Sequence, residues 1–94
     1  MTHDAAEPYA LRTTPTVRRC LTDALPEAVA AAAYEFITGP SLSNPHRVGK
    51  RLLPPLDDRH SARRGTYRVI YRIDDKEHVV TVVDIAHRRD AYRT

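Results

Sequence analysis

Between residues 59 and 73 the chain carries five arginines, Arg59, Arg63, Arg64, Arg68 and Arg72, and no acidic residue. Guanidinium groups stay charged at every physiological pH, and their planar fork matches phosphate oxygens, so such a cluster suits a phosphate-rich partner. Cleaving RNA with side chains alone requires three things: a base to activate the ribose 2′-hydroxyl, positive charge to stabilise the crowded phosphorane, and an acid for the leaving 5′-oxygen. Arg68 and Arg63 can supply the charge, and His87 or Tyr92 the proton transfer. Histidine is the better base because its ordinary pKa lies nearest neutrality. The same residues also admit a purely structural reading, with solvated arginines on a sheet face and a histidine or tyrosine that packs or caps at a strand end.

Other chemistries find less support. His3, His46, His60, His78 and His87 show no metal-ligand spacing such as a helical pair, and the acids fall mostly in turns or beside basic residues. Cys20 falls on an apolar helical stripe, where a small inert core residue is expected. Ser61 stands in no strand–turn–helix elbow, and there is no glycine-rich phosphate loop. No metal or cofactor is expected.

The elements that must position these groups follow from periodicity. Over 67–73 the sequence alternates, so Tyr67, Val69, Tyr71 and Ile73 point to one face of a strand and Arg68, Ile70 and Arg72 to the other. One strand thereby joins a core to a cationic surface. A second strand is expected over 59–64, a turn at Gly65, another turn at 74–77, and a strand over 78–86. That last strand has valine at 79, 80, 82 and 83, apolar on both faces, as suits a strand inside the sheet. The meander puts His87 near one rim, and its distance from Arg68 depends on register.

Upstream, residues 8–13 read as an edge strand begun by Pro8. Thr14 and Pro15 read as a helix start. Val17, Cys20, Leu21, Ala24 and Leu25 then form an apolar stripe, and after Pro26 a second stripe runs through Val29, Ala32, Ala33, Phe36 and Ile37. Gly39 is expected as a left-handed cap, with Pro40 ending the helix. Two helices with almost no loop between them form an antiparallel hairpin, and the sheet is the surface they cover. Residues 41–58, with Pro45, Gly49, Pro54 and Pro55, read as a long basic loop carrying Arg47, Lys50 and Arg51, either functional or an excursion pinned by Leu52, Leu53 and Leu56. Arg72 is expected to pair with Asp74 and Asp75.

Ninety-four residues make one small domain, 1–94, with residues 1–7 read as a frayed end. With 41% hydrophobic and 29% charged residues the chain is expected to fold rather than stay disordered. Charge is uneven: residues 48–94 hold eleven Lys or Arg against seven acids, which favours nucleic acid or an acidic protein as partner. One cysteine permits no intramolecular disulfide, and neither a leader nor a membrane-length apolar run is seen, so a cytoplasmic location is expected.

The order of strand, helix hairpin and three-stranded meander, with Ser61-Ala62-Arg63-Arg64-Gly65-Thr66-Tyr67-Arg68-Val69-Ile70-Tyr71 and the tail His87-Arg88-Arg89-Asp90-Ala91-Tyr92-Arg93, resembles the RelE/ParE superfamily of bacterial toxins. Asn44-Pro45-His46-Arg47 followed by Gly49-Lys50 is similar to the actinobacterial RelE subgroup. The resemblance implies an α+β RelE-like fold: an N-terminal strand and a helix hairpin on one face of a mainly antiparallel four-stranded sheet. It also implies a type II toxin that enters the ribosomal A site and cuts mRNA without metal. A RelB-like antitoxin would restrain it, in a heterotetramer that binds operator DNA through the antitoxin. By resemblance Arg68 is the phosphate-stabilising arginine and Arg63 a second basic residue facing RNA. His87 and Arg88 are the basic or acid–base pair after the last strand, and Tyr92 the tyrosine near the C-terminus. Lys50, Arg51, Arg59 and Arg64 become ribosome or message backbone contacts.

Two departures bear on mechanism. The best-known RelE toxins have two lysines on the strand before the glycine turn, where this chain has Arg59, His60 and Ser61. Arginine is a poor proton base, so that role passes to His87 or Tyr92. The chain given also holds two residues after Tyr92, fewer than a long C-terminal helix needs. Two other functions stay open on the same fold: a ParE-like inhibitor of DNA gyrase, and an inactive homologue that only binds its antitoxin.

Overall fold

Thr14 decides where the first strand ends and the first helix begins. Its side-chain oxygen accepts the Val17 N–H at 3.2 Å, and its hydroxyl also reaches the Val83 carbonyl at 3.3 Å. One residue therefore caps a helix and fastens it to the sheet. The structure, a computed structural model, describes residues 8–87; the expected frayed end at 1–7, and Arg88 and Tyr92, lie outside them. Strand β1 (Ala10–Thr13) leads into α1 (Pro15–Arg19), with Pro15 at the first turn where its missing N–H costs nothing. The helix loosens into a π-helical turn, Cys20–Ala24, and stops at Leu25, whose backbone is extended. Helix α2 (Glu27–Thr38) follows and buries Ala33, Phe36 and Ile37.

The end of α2 differs from expectation. Gly39 has φ −122°, not a left-handed value, and Pro40 does not end the helical path but opens a new turn, α3 (Pro40–Ser43). Pro45 does the same for α4 (Pro45–Val48). A proline that would break a helix interior is tolerated at a first position, so the run of breakers gives short helices rather than a loop. The chain then forms a two-residue strand β2 (Lys50–Arg51), and β3 (His60–Arg64), β4 (Tyr67–Asp74) and β5 (Val79–His87) complete the sheet. The sheet has five strands rather than four, in the order β1-β5-β4-β3-β2. Among the described residues only the β1–β5 pairing is parallel. At the β3–β4 hairpin Gly65 takes φ 57°, the positive value a two-residue turn needs.

The alternation of β4 holds. Tyr67, Val69 and Tyr71 are buried with Ala62, Val80, Val82 and Ile85, and Val17, Phe36, Ile37 and Leu42 cover them from the helices. The helices thus lie on one face of the sheet. On β5 the register shifts between Ile70, opposite Asp84, and Tyr71, opposite Val82, so Val83 is an extra residue. This bulge resets the alternation, which lets both Val82 and Ile85 face the core while Asp84 turns out. Cys20 is only half-buried, its Sγ 3.7 Å from the Ile85 carbonyl oxygen.

Residues 52–59 carry a second correction. Leu53 is 83% exposed and Leu56 43%, so these leucines do not pin the loop. Backbone hydrogen bonds do: Leu52 N–H to the Arg59 carbonyl, Leu56 N–H to Leu53 and Arg59 N–H to Leu56, each at 3.0 Å. Tyr71 anchors the segment before it. Its ring is fully buried and its hydroxyl donates to the Pro45 carbonyl at 2.6 Å. Burial pushes that phenol up to about 12. Among the described residues no helix is long and apolar enough to cross a membrane.

Candidate nucleic-acid interface

The face of the sheet away from the helices is set by pairing register. Arg63 on β3 lies directly opposite Arg68 on β4, and Lys50 on β2 is opposite Ser61. Side chains of directly opposed residues stand about 4.5–5.5 Å apart at Cβ, and like charges so placed destabilise a sheet. No ion pair with an acid offsets either arginine among the described residues. An open depression of about 600 Å³ gathers Arg47, Lys50, Arg51, Arg63 and Arg68 around Ser61 and Gly49, with Val48, Leu52 and Leu53 as its apolar part. Among the described residues five cations and no acid line it. A surface built this way repels itself until an anion arrives, and it is suited to phosphate groups.

The predicted residues divide accordingly. Arg63, Arg68, Lys50 and Arg51 are brought together, and Arg47 joins them, although its place in a basic loop gave no reason to single it out. Arg64 is not on this face: it pairs with Tyr67 and holds its guanidinium 4.6 Å from the centre of the Phe36 ring, over the helix side. Arg59 lies 3.8 Å from Asp58 and is not among the lining residues. Arg72 approaches Asp58 at 4.0 Å, not Asp74 or Asp75.

His87 is the instructive case. Arg68 is opposite Ala86, whereas His87 is opposite Tyr67, a core residue. The pleat therefore directs His87 toward the helix-bearing face at the end of β5, one residue along from the position that faces Arg68. On the outer face Asp84 is opposite Ile70, diagonal to Arg68, with its carboxylate accepting the Ile85 N–H at 2.9 Å.

A second polar cluster sits beyond the far end of β4. The Tyr9 hydroxyl donates to Asp75, His46 Nε2 lies 2.9 and 3.0 Å from the two Asp75 oxygens, and the Tyr9 ring stacks on His78 at 3.8 Å. His46 in turn meets His60 edge-on, and His60 stacks on Tyr71, both at 5.6 Å. Periodicity carries no trace of this cluster, because its members come from separate elements. The hydrogen bond to Asp75 pushes the Tyr9 phenol up to about 12, and the bonds from Tyr9 and then His46 hold the Asp75 carboxyl below its ordinary value. Burial, then the charges of His46 and Arg51, lowers the pKa of His60.

The Asp75 shift predicts an acid-side effect on stability. A depressed carboxyl contributes stability that is fully present above the unfolded pKa of about 3.9 and is lost as pH falls through the lower folded value. Asp75→Asn should therefore flatten the fall in melting temperature below about pH 4. Thermal melts of both proteins across the acid range check it. An unchanged acid limb would show that the Tyr9–Asp75–His46 contact contributes nothing in solution.

A mainly antiparallel sheet backed by helices, with a basic open face, defines a small α+β protein whose charge suits a polyanionic or acidic partner. Comparison with known proteins narrows that class. The family model for the ParE toxin of type II toxin–antitoxin systems matches residues 4–92, and the chain belongs to this family within the RelE/ParE superfamily. Toxin RelE of Mycobacterium tuberculosis is 52% identical over 86 residues, covering 92% of this chain and 88% of that protein. Toxin RelG of the same organism is 48% identical, covering 92% and 98%. Among solved structures, the toxin–antitoxin complex RelBE2 of M. tuberculosis contains a chain that matches with a TM-score of 0.83 at 46% identity, covering 87% of this chain and all of that one. The fold is RelE-like, as the sequence resemblance implies.

Proposed function

We propose that this type II toxin is a ribosome-dependent endoribonuclease that cuts mRNA in the A site and is neutralised by a RelB-like antitoxin. The observation that carries the reading is the opposed Arg63–Arg68 pair in a depression that, among the described residues, is lined by five cations and no acid. In this reading the 2′-oxygen attacks phosphorus, its proton passes to a base, the bond to the 5′-oxygen breaks, and an acid protonates that oxygen. Arg68 and Arg63 stabilise the charge that builds on the phosphorane oxygens. The proton carriers proposed are His87 and Tyr92, with Arg88, which follows His87 in the chain, as the basic member of the pair after the last strand. His87 faces the helix side at its strand end, so a part in proton transfer requires the message to reach around that end of β5 from the Arg63–Arg68 face. Lys50, Arg51 and Arg47 hold the message or ribosomal RNA backbone, and their contribution falls as salt rises. The similarity to relatives named toxin RelE and RelG supports this reading, and the RelBE2 complex supports a protein antitoxin as partner.

Purified protein added to ribosomes programmed with a defined message should release fragments cut within the A-site codon. The family name ParE keeps gyrase inhibition as the second reading, so a gyrase supercoiling assay is run beside it. Intact message with inhibited gyrase would replace the endonuclease reading by that one. Intact message with unaffected gyrase would leave a toxin homologue that only binds its antitoxin.

A further inference from the structure

An exposed leucine is ordinary on a protein surface, but Leu53 is exposed in an unusual way. It is 83% exposed on a loop whose path is fixed by three backbone hydrogen bonds at 3.0 Å and by Pro54 and Pro55, so it is held out rather than left loose. It also lines the cationic depression, together with Arg63 and Arg68, while Val48 and Leu52 are half-buried there. A fixed apolar tip therefore borders a cationic surface.

We propose that Leu53 is a nucleobase-contact residue, packing on the face of a single-stranded RNA base whose phosphate lies on the Arg63–Arg68 surface. The proposal rests on the reading of that surface as RNA-binding. Single-stranded RNA pairs the two required chemistries within one nucleotide: an anionic phosphate and a flat apolar ring face that stacks without regard to sequence. An acidic amphipathic helix would instead bring a row of apolar anchors and need an apolar groove to seat them, whereas the apolar lining here is Leu53 with half-buried Val48 and Leu52, and the exposed Leu56 is not part of it. Leu53 would thus set how the base beside the scissile phosphate is turned. It positions substrate and takes no part in proton transfer.

The test compares wild type, Leu53→Ser and Leu53→Tyr on a short single-stranded RNA and on the same strand with an abasic ribose at its centre, at low salt. Leu53→Ser should weaken binding of the complete strand by about three- to tenfold, the factor expected from losing part of a leucine's apolar contact, and leave the abasic strand unchanged. Leu53→Tyr should tighten the complete strand only. Because the side chain is exposed, both variants should melt like wild type. Equal losses on both strands, or no loss, would overturn the proposal, as would weaker binding of the cognate antitoxin with RNA affinity intact. Wild type that binds neither strand and also leaves the message intact on programmed ribosomes would remove the RNA-binding reading as well. Normal binding and message cleavage by all three proteins would remove the Leu53 assignment alone.

Discussion

Arg68→Ala should lower the rate of message cleavage on programmed ribosomes by about 100-fold or more, the loss typical of removing one preorganised group that meets transition-state charge. Ribosome affinity should change far less, because Lys50, Arg51, Arg47 and Arg63 remain. The asymmetry is the point: a contact that strengthens only as charge develops is lost from the rate rather than from binding. Stability should move the other way or not at all. Arg68 stands opposite Arg63 with no carboxylate among the described residues ion-paired to either, so removing it relieves a repulsion. A variant that melts at or slightly above wild type while losing activity separates this outcome from misfolding. Arg68→Lys should recover only part of the rate, since an ammonium is a point charge where the guanidinium offers a fork. Equal losses in cleavage and in ribosome binding would make Arg68 a docking residue.

Gly49→Ala should destabilise the protein by about 1–3 kcal/mol, the usual cost of forcing a carbon into a packed site. A Cβ at Gly49 would lie 2.5 Å from the Tyr71 hydroxyl oxygen and 2.8 Å from the Ser61 carbonyl oxygen. Neither can retreat cheaply. Tyr71 is fully buried and bonded to Pro45, and Ser61 is backbone of β3. Backbone conformation is not the reason, since Gly49 is extended at φ −141°. For a domain of this size each kcal/mol lowers the melting temperature by about 4–8 °C. The displaced residues are those next to Lys50 and Arg51, so RNA affinity should fall with stability. Adding Tyr71→Phe removes the oxygen that the new methyl meets. The double variant should then lose less than the sum of the single losses, and strict additivity in thermal melts would rule out this clash as the cause.

Strands were easier to read from sequence than anything between them. Tyr67, Val69 and Tyr71 alternate with Arg68 and Ile70, and a period of two leaves little freedom about which face is buried. Thr14-Pro15 marked a helix start by chemistry that acts locally. Residues 40–51 resisted because Pro40 and Pro45 carry the same letter whether they end a helix or begin one. The leucines at 53 and 56 misled for a related reason: hydrophobicity predicts burial on average, while this loop is held by main-chain bonds that no side-chain pattern reveals. Within the site, Arg63 and Arg68 were legible because a short hairpin fixes their register. His87 was not. Its relation to Arg68 depends on strand pairing and on the bulge at Val83, and neither is encoded by spacing. The Tyr9–Asp75–His46 contact joins three distant elements and left no signal at all.

The parallel seam between β1 and β5 bears on when a newly made molecule becomes harmful. Ala10 pairs with Val79 and Thr13 with Val82, so the first described strand must wait for the last before the sheet can close. Contacts so distant along the chain are entropically slow to form. During synthesis β1 leaves the ribosome early and has no partner until β5 follows. Arg68 can already be outside the exit tunnel while the neighbouring strand that holds it in place is still being made. The ribosome is thus the machine that builds the toxin and, in the function proposed, its target, yet the sheet that holds Arg68 closes only after β5 has been made. An antitoxin that captures the open sheet during that interval would act before the active surface is complete.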